Sequence, residues 1–342
     1  MDDKPAVNNN SVPDLISIGD ATIDVFMTPT ETETLCKVDT RECYIAFSYG
    51  DKIPVRNLEF SIGGKAANNA IGTKRQGIKT SIVLTLGDDN VGKMIVDRLT
   101  AEGVDMTYVM QQPSTSSNYS TIISYMGERT IFVYHAPRSY EFPVQLPSVP
   151  WIYLTSMGEA FRPFYNHVVE YLKKNPNTKL AFNPGSWQMR APKEQIGDIL
   201  SLTYILYVNR QEAEKLTGLT ETLGKEKELL EATLGLGPKI AVITDGSKGA
   251  FASDRTDYLK IPPMPVEAYE RTGAGDAFGS GSLSALIKGK SLSEALLYGT
   301  INSSSVIGYV GSQRGLLKEE ETPEWVERAK SSGVVVTNLQ SQ

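Results

Sequence analysis

Histidine and cysteine are scarce in this sequence. Among 342 residues there are two histidines and two cysteines. The pair Cys36 and Cys43 is too small a set for a disulfide framework or a four-ligand zinc site, so a reducing compartment is the default expectation. A clustered histidine metal site is not expected either, and the motifs HExxH and GxSxG do not occur. Any chemistry must be carried by carboxylates, amides, glycines or lysines.

Excess basic charge and long apolar runs are also lacking. Lys and Arg number 34 and Asp and Glu number 40, a formal net charge of −6, which argues against a general nucleic-acid binder. The start of the chain is acidic and polar, unlike a signal peptide, and apolar stretches such as 204–208 are far shorter than the roughly 18 residues of a membrane span. We expect a cytoplasmic protein that contacts no membrane, with a disordered start at 1–13 and a polar tail at 333–342.

Short apolar runs alternate with helical patterns along most of the chain. Apolar runs predict strands at 15–19, 80–86, 151–155, 180–182, 205–208 and 240–244. Helical spacing predicts helices at 65–76, 91–103, 159–173, 277–287, 292–310 and 323–330. This alternation predicts an α/β protein with a mostly parallel sheet covered on both faces. The length alone fits either one large domain or two smaller ones.

Two regions break this rhythm. The segments 43–62 and 119–134 each contain two strand-like runs around a glycine turn. These four runs could pair into a small sheet beside the main one. Ligands of open α/β sheets bind at the carboxyl ends of the strands, so we interpret segments near 30–62 and 117–136 as a lid over a ligand site.

The strongest local signal is ERTGAGDAFGSG at 270–281, where a glycine-rich turn runs directly into a helix. Gly273, Ala274 and Gly275 expose backbone N–H groups, and the helix N-terminus adds partial positive charge. Asp276 stands in the first helical turn. An anion hole beside a carboxylate suits phosphoryl transfer to an alcohol, because the N–H groups stabilise the moving phosphoryl group while the carboxylate takes the hydroxyl proton. Alone, the motif equally fits a tight turn with an Asp that caps the helix.

Two motifs near the N-terminus could bind hydroxyl groups. SIGGKAANNA at 61–70 places two glycines before a helix, with Asn68 about one turn inside it. Glycines permit close backbone approach, and an amide offers both donors and an acceptor; close packing between a strand and a helix would explain the same residues. Asp20 and Asp24 follow the first strand, where carboxylates can hold sugar hydroxyls or metals, or lie in a solvated loop.

Two further motifs follow later strands. NRQE at 209–212 fits a helix capping box, although Glu212 could also hold Mg²⁺ through water and Asn209 could touch phosphate. TDGSKG at 244–249 is either a turn between two strands or a loop that touches a nucleotide. By contrast, GDDNVGKM at 87–94 is no P-loop, because Met94 replaces the required hydroxyl.

Taken in chain order, these motifs resemble the ribokinase-like (PfkB) carbohydrate kinase family. GGKAANNAIGTKRQG at 63–77 resembles its N-terminal signature, and RTGAGDAFGSG at 271–281 resembles its C-terminal signature. LGDDNVG, VNRQEAEKLTG and TDGSKG match between them, and the resemblance spans about residues 14–315. It implies one kinase domain over 14–332, a three-layer αβα sandwich with a mostly parallel central sheet and a small β-sheet lid.

The resemblance also implies residue roles. Asp276 matches the catalytic base, and Gly273, Ala274 and Gly275 match the anion hole. Substrate-hydroxyl positions are matched by Asp24, Gly63, Gly64, Lys65 and Asn68. Nucleotide positions are matched by Asn209, Thr244, Gly246, Ser247, Gly249 and Asn302. Glu212 matches a residue that holds Mg²⁺ through water, and Glu270 and Thr272 stand at a monovalent-cation site.

The implied activity is an ATP- and Mg²⁺-dependent kinase that phosphorylates a hydroxymethyl group of a small sugar. Members of the family usually carry an Asp where this chain has Glu270, so we expect potassium stimulation to be weakened but not abolished. A nucleoside kinase is the nearest alternative, in which Phe47 and Tyr49 of the lid would stack on a base rather than simply pack. A catalytically inactive sugar-binding relative is a third reading, against which the intact GAGD motif speaks. The lid is a candidate contact for a homodimer.

Overall fold

The computed structural model describes residues 12–37, 43–126 and 128–339. Its strands are β1 (Leu15–Ile18), β2 (Thr22–Pro29), β3 (Glu33–Cys36), β4 (Cys43–Ala46), β5 (Val55–Gly63), β6 (Thr80–Gly87), β7 (Asp105–Gln112), β8 (Asn118–Tyr125), β9 (Glu128–Tyr134), β10 (Trp151–Leu154), β11 (Lys179–Phe182), β12 (Thr203–Asn209), β13 (Ile240–Thr244), β14 (Ala250–Ser253), β15 (Tyr258–Ile261) and β16 (Thr337–Asn338). Its α-helices are α1 (Lys65–Arg75), α2 (Asn90–Ala101), α3 (Arg162–Lys174), α4 (Ser186–Arg190), α5 (Gly197–Leu202), α6 (Arg210–Thr217), α7 (Glu226–Gly235), α8 (Ala274–Ile287), α9 (Leu292–Val306) and α10 (Thr322–Ser331).

The central sheet has ten strands in the order β16-β15-β14-β13-β12-β11-β10-β1-β6-β7. Neighbouring strands are parallel from β13 to β7, and β14, β15 and β16 add an antiparallel edge. Alternate residues of one strand face different helices. On β10, Ile152 and Leu154 pack in the cluster that includes α3, whereas Trp151 and Tyr153 pack in the cluster that includes α8 and α9. The sheet is therefore covered by helices on both faces, as strands buried on both faces require. This confirms the predicted three-layer αβα architecture.

The second sheet, which we call the lid sheet, has the order β5-β2-β8-β9. The prediction of four paired strands from 43–62 and 119–134 is wrong in one member: β2, which carries Asp24, takes the place of β4. Successive side chains of β2 point to opposite faces of the lid sheet: Ile23 and Val25 are buried on one face, and Asp24 is buried on the other. Asp24 is aligned with Ser61 of β5 and Ser120 of β8, so these three residues share a face.

A separate two-stranded hairpin is formed by β3 and β4. Cys36 and Cys43 lie opposite each other in its register and are joined by a disulfide bond. The cysteine count, which made a reducing compartment the default, carried no information on this pairing. Cross-strand neighbours bring two Cβ atoms within bonding range without any framework of further cysteines.

Element boundaries differ from the predictions mainly in glycine-rich segments. Helix α8 begins at Ala274 rather than 277, and α9 ends at Val306 rather than 310. Strand β7 was not predicted, and the predicted polar tail contributes β16 to the sheet edge. Except for residues 12 and 13, the predicted disordered start lies outside the described residues. Across the described ranges, none of the helices combines the length and apolarity needed to cross a membrane.

Candidate active site

The start of α8 is shaped by two glycines with different requirements. Gly273 has φ +79°, and a Cβ there would lie 2.3 Å from Cβ of Ser312, so both the backbone angle and the space demand glycine. A Cβ on Gly275 would meet nothing within 4 Å. The first turn of α8 is therefore held tightly on one side and is open on the other. The N–H groups of a first helical turn have no partner within the helix and can face an anion, although here the Ala274 N–H also donates to Arg271 O at 3.3 Å.

That open side borders a cavity of about 260 Å³. Its walls are formed by Lys65, Arg129, Asn183, Tyr207, Val208, Asn209, Glu212, Thr244, Arg271, Gly273, Ala274, Gly275, Asp276 and Phe278. Asn209 ends β12 and Thr244 ends β13. The cavity therefore lies at the carboxyl ends of parallel strands, where open α/β sheets bind their ligands.

Asp276 is held by a chain of hydrogen bonds. Asn68 Nδ2 donates to Asp276 Oδ2 at 2.8 Å. Asn68 Oδ1 accepts from Ser312 Oγ at 2.9 Å and from Gln313 Nε2 at 3.0 Å, so the amide nitrogen points at the carboxylate. Burial raises the pKa of Asp276 above its ordinary value, against the lowering effects of Lys65 and Asn68. A raised pKa makes the carboxylate a better proton acceptor.

Lys65 is the first residue of α1 and reaches toward the same carboxylate. Gly64 before it has φ +90°, and a Cβ there would lie 2.6 Å from the backbone oxygen of Asp20. The Lys65 ammonium donates to the carbonyl oxygen of Pro184 at 2.8 Å. It also lies close enough to Asp276 to lower the pKa of that carboxyl. A cation is thus fixed at the edge of the cavity.

Asp24 is a buried carboxylate beside the cavity rather than in its wall. It lies against Gly63, where a Cβ would come within 2.0 Å of Asp24 Oδ2. Burial raises the pKa of Asp24 to about 6, the Ser120 hydroxyl lowers it, and the charges of Asp276 and Glu270 raise it further. Asp24 is therefore electrostatically coupled to Asp276, although Asp24 lies on β2 of the lid sheet and Asp276 lies in helix α8.

Asp20, four residues before Asp24, lies outside the cavity wall and has a different surrounding. Its two carboxylate oxygens accept from the Tyr140 hydroxyl at 3.1 and 3.0 Å, and that hydroxyl accepts from the backbone N–H of Gly158 at 2.7 Å. These bonds tie the end of β1 to the segment after β10. The geometry fits a structural role.

Asn209 and Glu212 fulfil the predicted capping box and also line the cavity. The Asn209 backbone N–H donates to Glu212 Oε2 at 2.9 Å, and Glu212 N–H donates to Asn209 Oδ1 at 2.8 Å. Thr244 reaches the cavity from the end of β13. The predicted capping box is confirmed, and it fixes both side chains at the cavity edge.

Four predicted nucleotide residues are not brought to this wall. Gly246, Ser247 and Gly249 form a tight turn next to Thr244, in which a Cβ on Gly249 would lie 2.0 Å from Ile261 O. Asn302 is buried between α8 and α9: its Nδ2 donates to Ala277 O at 2.7 Å and its Oδ1 accepts from Leu317 N–H at 2.8 Å. For Asn302 the geometry supports a tie between helices.

Sequence reasoning missed Arg129, Asn183 and Tyr207 in the cavity wall. Arg129 Nη1 reaches from the lid sheet to Glu270 Oε1 at 3.0 Å. Glu270 also accepts the backbone N–H of Thr272 at 2.9 Å and the Thr272 hydroxyl at 2.7 Å. The turn that precedes the anion hole is therefore anchored to the lid sheet. Only the strand register could have revealed this, because a lone arginine in a β-rich run carries no motif.

A polar cavity at the strand ends, bordered by an open helix start and a carboxylate of raised pKa, has the groups that phosphoryl transfer to an alcohol needs. The family model of the pfkB family carbohydrate kinases matches residues 14–319. The chain therefore belongs to this family, whose members are phosphotransferases that act on alcohol groups.

The chain is similar to individual kinases in sequence and to solved structures in fold. The chain is 28% identical over 293 residues to the ribokinase of Haemophilus influenzae, covering 82% of this chain and 92% of that protein. A ribokinase structure from Arabidopsis thaliana, complexed with ribose and ATP, matches with a TM-score of 0.76 and 21% identity over 93% of this chain and 99% of that one. The nucleoside kinase of Methanocaldococcus jannaschii matches with a TM-score of 0.72 and 21% identity, covering 92% and 98%.

Proposed function

We propose that this protein is an ATP-dependent kinase that transfers the γ-phosphoryl group to a hydroxymethyl group of a small sugar or sugar-like substrate. The observation that carries the proposal is the placement of the Asp276 carboxylate in the first turn of α8, directly after the N–H groups of Gly273, Ala274 and Gly275. Similarity to ribokinases, one of them complexed with ribose and ATP, supports the choice of donor and acceptor.

The proposed reaction is an in-line displacement. The substrate hydroxyl donates its proton to Asp276, and its oxygen forms a bond to the γ-phosphorus while the bond to the β–γ bridging oxygen breaks and ADP leaves. Negative charge on the transferring group is stabilised by the N–H groups of residues 273–275. Asn68 holds Asp276 in place through its 2.8 Å hydrogen bond and retains a second N–H for a substrate hydroxyl.

Substrate hydroxyls would be oriented on the opposite side of Asp276. Asp24 offers a carboxylate, and Gly63 and Gly64 would contribute backbone groups. The missing side chain of Gly63 makes room for the Asp24 carboxylate, and that of Gly64 makes room for the backbone at Asp20. Lys65, which lies between the substrate and phosphate regions, would balance charge near the reacting groups. These assignments rest on the family match and on the coupling of Asp24 to Asp276.

Glu212 and Asn209 suit a magnesium-bound nucleotide. Mg²⁺ is usually bound by one or two carboxylates together with waters and phosphate oxygens. Glu212 supplies one cavity-lining carboxylate, of which only Oε2 is used in the capping box. When bound, the ion would neutralise charge on the phosphates, and Glu212 would hold it through water. Asn209 and Thr244 would contact the nucleotide. The turn formed by Gly246, Ser247 and Gly249 would lie beside the nucleotide.

A nucleoside kinase is the second candidate function. The fold match to the nucleoside kinase of M. jannaschii keeps it open. Phe47 and Tyr49, which could stack on a base, are exposed and do not line the cavity. This favours the sugar substrate. An inactive sugar-binding relative is disfavoured by the bonded and accessible Asp276.

The test is an ATP-consumption screen over ribose, fructose, sugar phosphates, 2-keto-3-deoxygluconate and adenosine. We expect turnover with at least one sugar-type acceptor and little with adenosine, and no acceptor-dependent turnover in the Asp276→Asn variant. Turnover with adenosine alone would establish the nucleoside kinase. Binding of a sugar without any turnover would establish the inactive relative.

We also propose that the lid sheet forms a homodimer in the cytoplasm. Leu58 and Phe60 on β5 and Phe132 and Tyr134 on β9 are 53%, 57%, 59% and 50% exposed. They alternate with the residues on the Asp24 face and therefore lie on the other face of the sheet. Sedimentation should show a dimer that Phe60→Asp weakens, and a monomer at all concentrations would exclude it.

A further inference from the structure

Glu270 is the residue to which the family match assigns a monovalent cation, together with Thr272. The structure already surrounds its carboxylate with donors. Glu270 Oε1 accepts from Arg129 Nη1 at 3.0 Å, from Thr272 Oγ1 at 2.7 Å and from Thr272 N–H at 2.9 Å, and Oε2 shares that N–H at 2.9 Å. The Glu270 side chain is only 10% exposed. Little of the carboxylate is left for another partner.

Arg129 reaches this carboxylate from the lid sheet. Arg129 is aligned with Ser124 of β8. Ser124 is four residues from Ser120, which is aligned with Asp24, so Arg129 lies on the face of the lid sheet that carries Asp24. From this face Arg129 enters the wall of the catalytic cavity. The Arg129–Glu270 pair therefore joins the lid sheet to the turn that presents the anion hole, three residues before Gly273.

A monovalent metal ion does not fit this arrangement. Such an ion needs several oxygen ligands to replace its hydration shell, whereas Glu270 Oε1 is occupied by three donors. The positive charge of the Arg129 guanidinium would repel a second cation beside it.

We propose that the Arg129 guanidinium takes the place of the monovalent cation. It neutralises Glu270 and keeps that carboxylate bonded to Thr272, which fixes the turn leading into Gly273 and the anion hole. Arg129 is thus a positioning residue that acts through Glu270 and Thr272 without touching the reacting atoms. The inference rests on the proposed kinase function, since its effect is exerted on the anion hole of that site.

The test compares three variants in KCl and in choline chloride at equal ionic strength. Wild-type turnover should be the same in both salts within about twofold, which replaces the weakened potassium stimulation expected from the sequence. Arg129→Ala should lower kcat in choline chloride by about ten- to a hundredfold, which is the effect of losing a hydrogen bond between charged groups. In KCl or in dilute guanidinium chloride, the kcat of this variant should return most of the way to the wild-type value. Glu270→Gln should lower kcat without recovery in either salt. Arg56→Ala, at an exposed arginine of β5, is the matched control and should leave turnover unchanged.

Melting temperatures give a readout that needs no substrate. K⁺ should stabilise Arg129→Ala saturably relative to choline, because the freed carboxylate can bind the ion, and it should not stabilise wild type or Glu270→Gln. If wild type phosphorylates no acceptor, the proposed function fails while the melting data still decide on the cation site. Saturable stabilisation or strong activation of wild type by K⁺ would overturn the inference, as would an Arg129→Ala variant that gains no response to K⁺.

Discussion

The buried carboxylate of Asp24 should make the folded protein less stable at neutral pH. Burial raises the pKa of Asp24 from an ordinary 3.8 to about 6. Since one pKa unit corresponds to about 1.4 kcal/mol, ionising Asp24 in the folded state costs about 3 kcal/mol of unfolding free energy above pH 6. Between the two pKa values the folded state holds a proton that the unfolded state has lost, so the free energy of unfolding falls as the pH rises from 3.8 to about 6 and is level above that range.

The Asp24→Asn variant has the same shape and does not titrate. We therefore expect the free energy of unfolding of the variant to rise by up to about 3 kcal/mol relative to that of wild type between about pH 4 and about pH 7.5. The assay is urea unfolding of both proteins at the two pH values. Any effect of the amide on stability that does not depend on pH drops out of this comparison. Asp88→Asn, which removes a charge from an exposed loop, is the control. In kinetics, Asp24→Asn should raise KM for the sugar by losing a hydroxyl acceptor.

Two results would refute this reasoning. A stability difference between Asp24→Asn and wild type that does not change with pH would show that Asp24 titrates normally in the folded protein. A larger advantage of the variant at low pH than at neutral pH would reverse the sign of the linkage. Either outcome would mean that Asp24 is solvated or paired with a cation.

Three further substitutions separate structure from chemistry. Gly275→Ala should keep the wild-type melting temperature, because the added Cβ meets nothing within 4 Å. Its kcat should fall, because the methyl group obstructs the anion hole. Gly273→Ala should lose about 1–3 kcal/mol of stability, measured by urea unfolding, since it forces a φ of +79° and a contact of 2.3 Å with Ser312. Asn302→Ala should lose a similar amount of unfolding free energy, and its KM for ATP should be unchanged. Normal stability with a raised KM for ATP would show instead that Asn302 binds the nucleotide.

Most of the central sheet and the start of α8 could be predicted from the sequence, because both depend on local signals. Apolar runs mark strands buried on both faces, and a glycine turn before an Asp marks a helix start. The position of Asp276 in the first turn follows directly from the order of residues in GAGD. These features need no knowledge of distant contacts.

The lid sheet could not be predicted in the same way, since its strands come from distant segments. That β2 rather than β4 joins β8 depends on a register set across about a hundred residues of chain. The same register turns Arg129 toward Glu270, and the hairpin register brings Cys36 against Cys43. Asn302 illustrates the reverse case, in which a family position is held by interior hydrogen bonds that only packing reveals.

The role of Asp276 as the base is tested by the single-turnover rate of the Asp276→Asn variant with ATP and the acceptor found in the screen. We expect a decrease of about 10²–10⁴-fold in the phosphoryl-transfer step, with retained ATP binding. The melting temperature at neutral pH should be no lower than that of wild type, because the variant no longer buries a charge there. We also expect the wild-type rate to increase with pH through the raised pKa of Asp276. A near-normal rate in Asp276→Asn, or a rate that falls with pH in wild type, would contradict the assignment of Asp276 as the base.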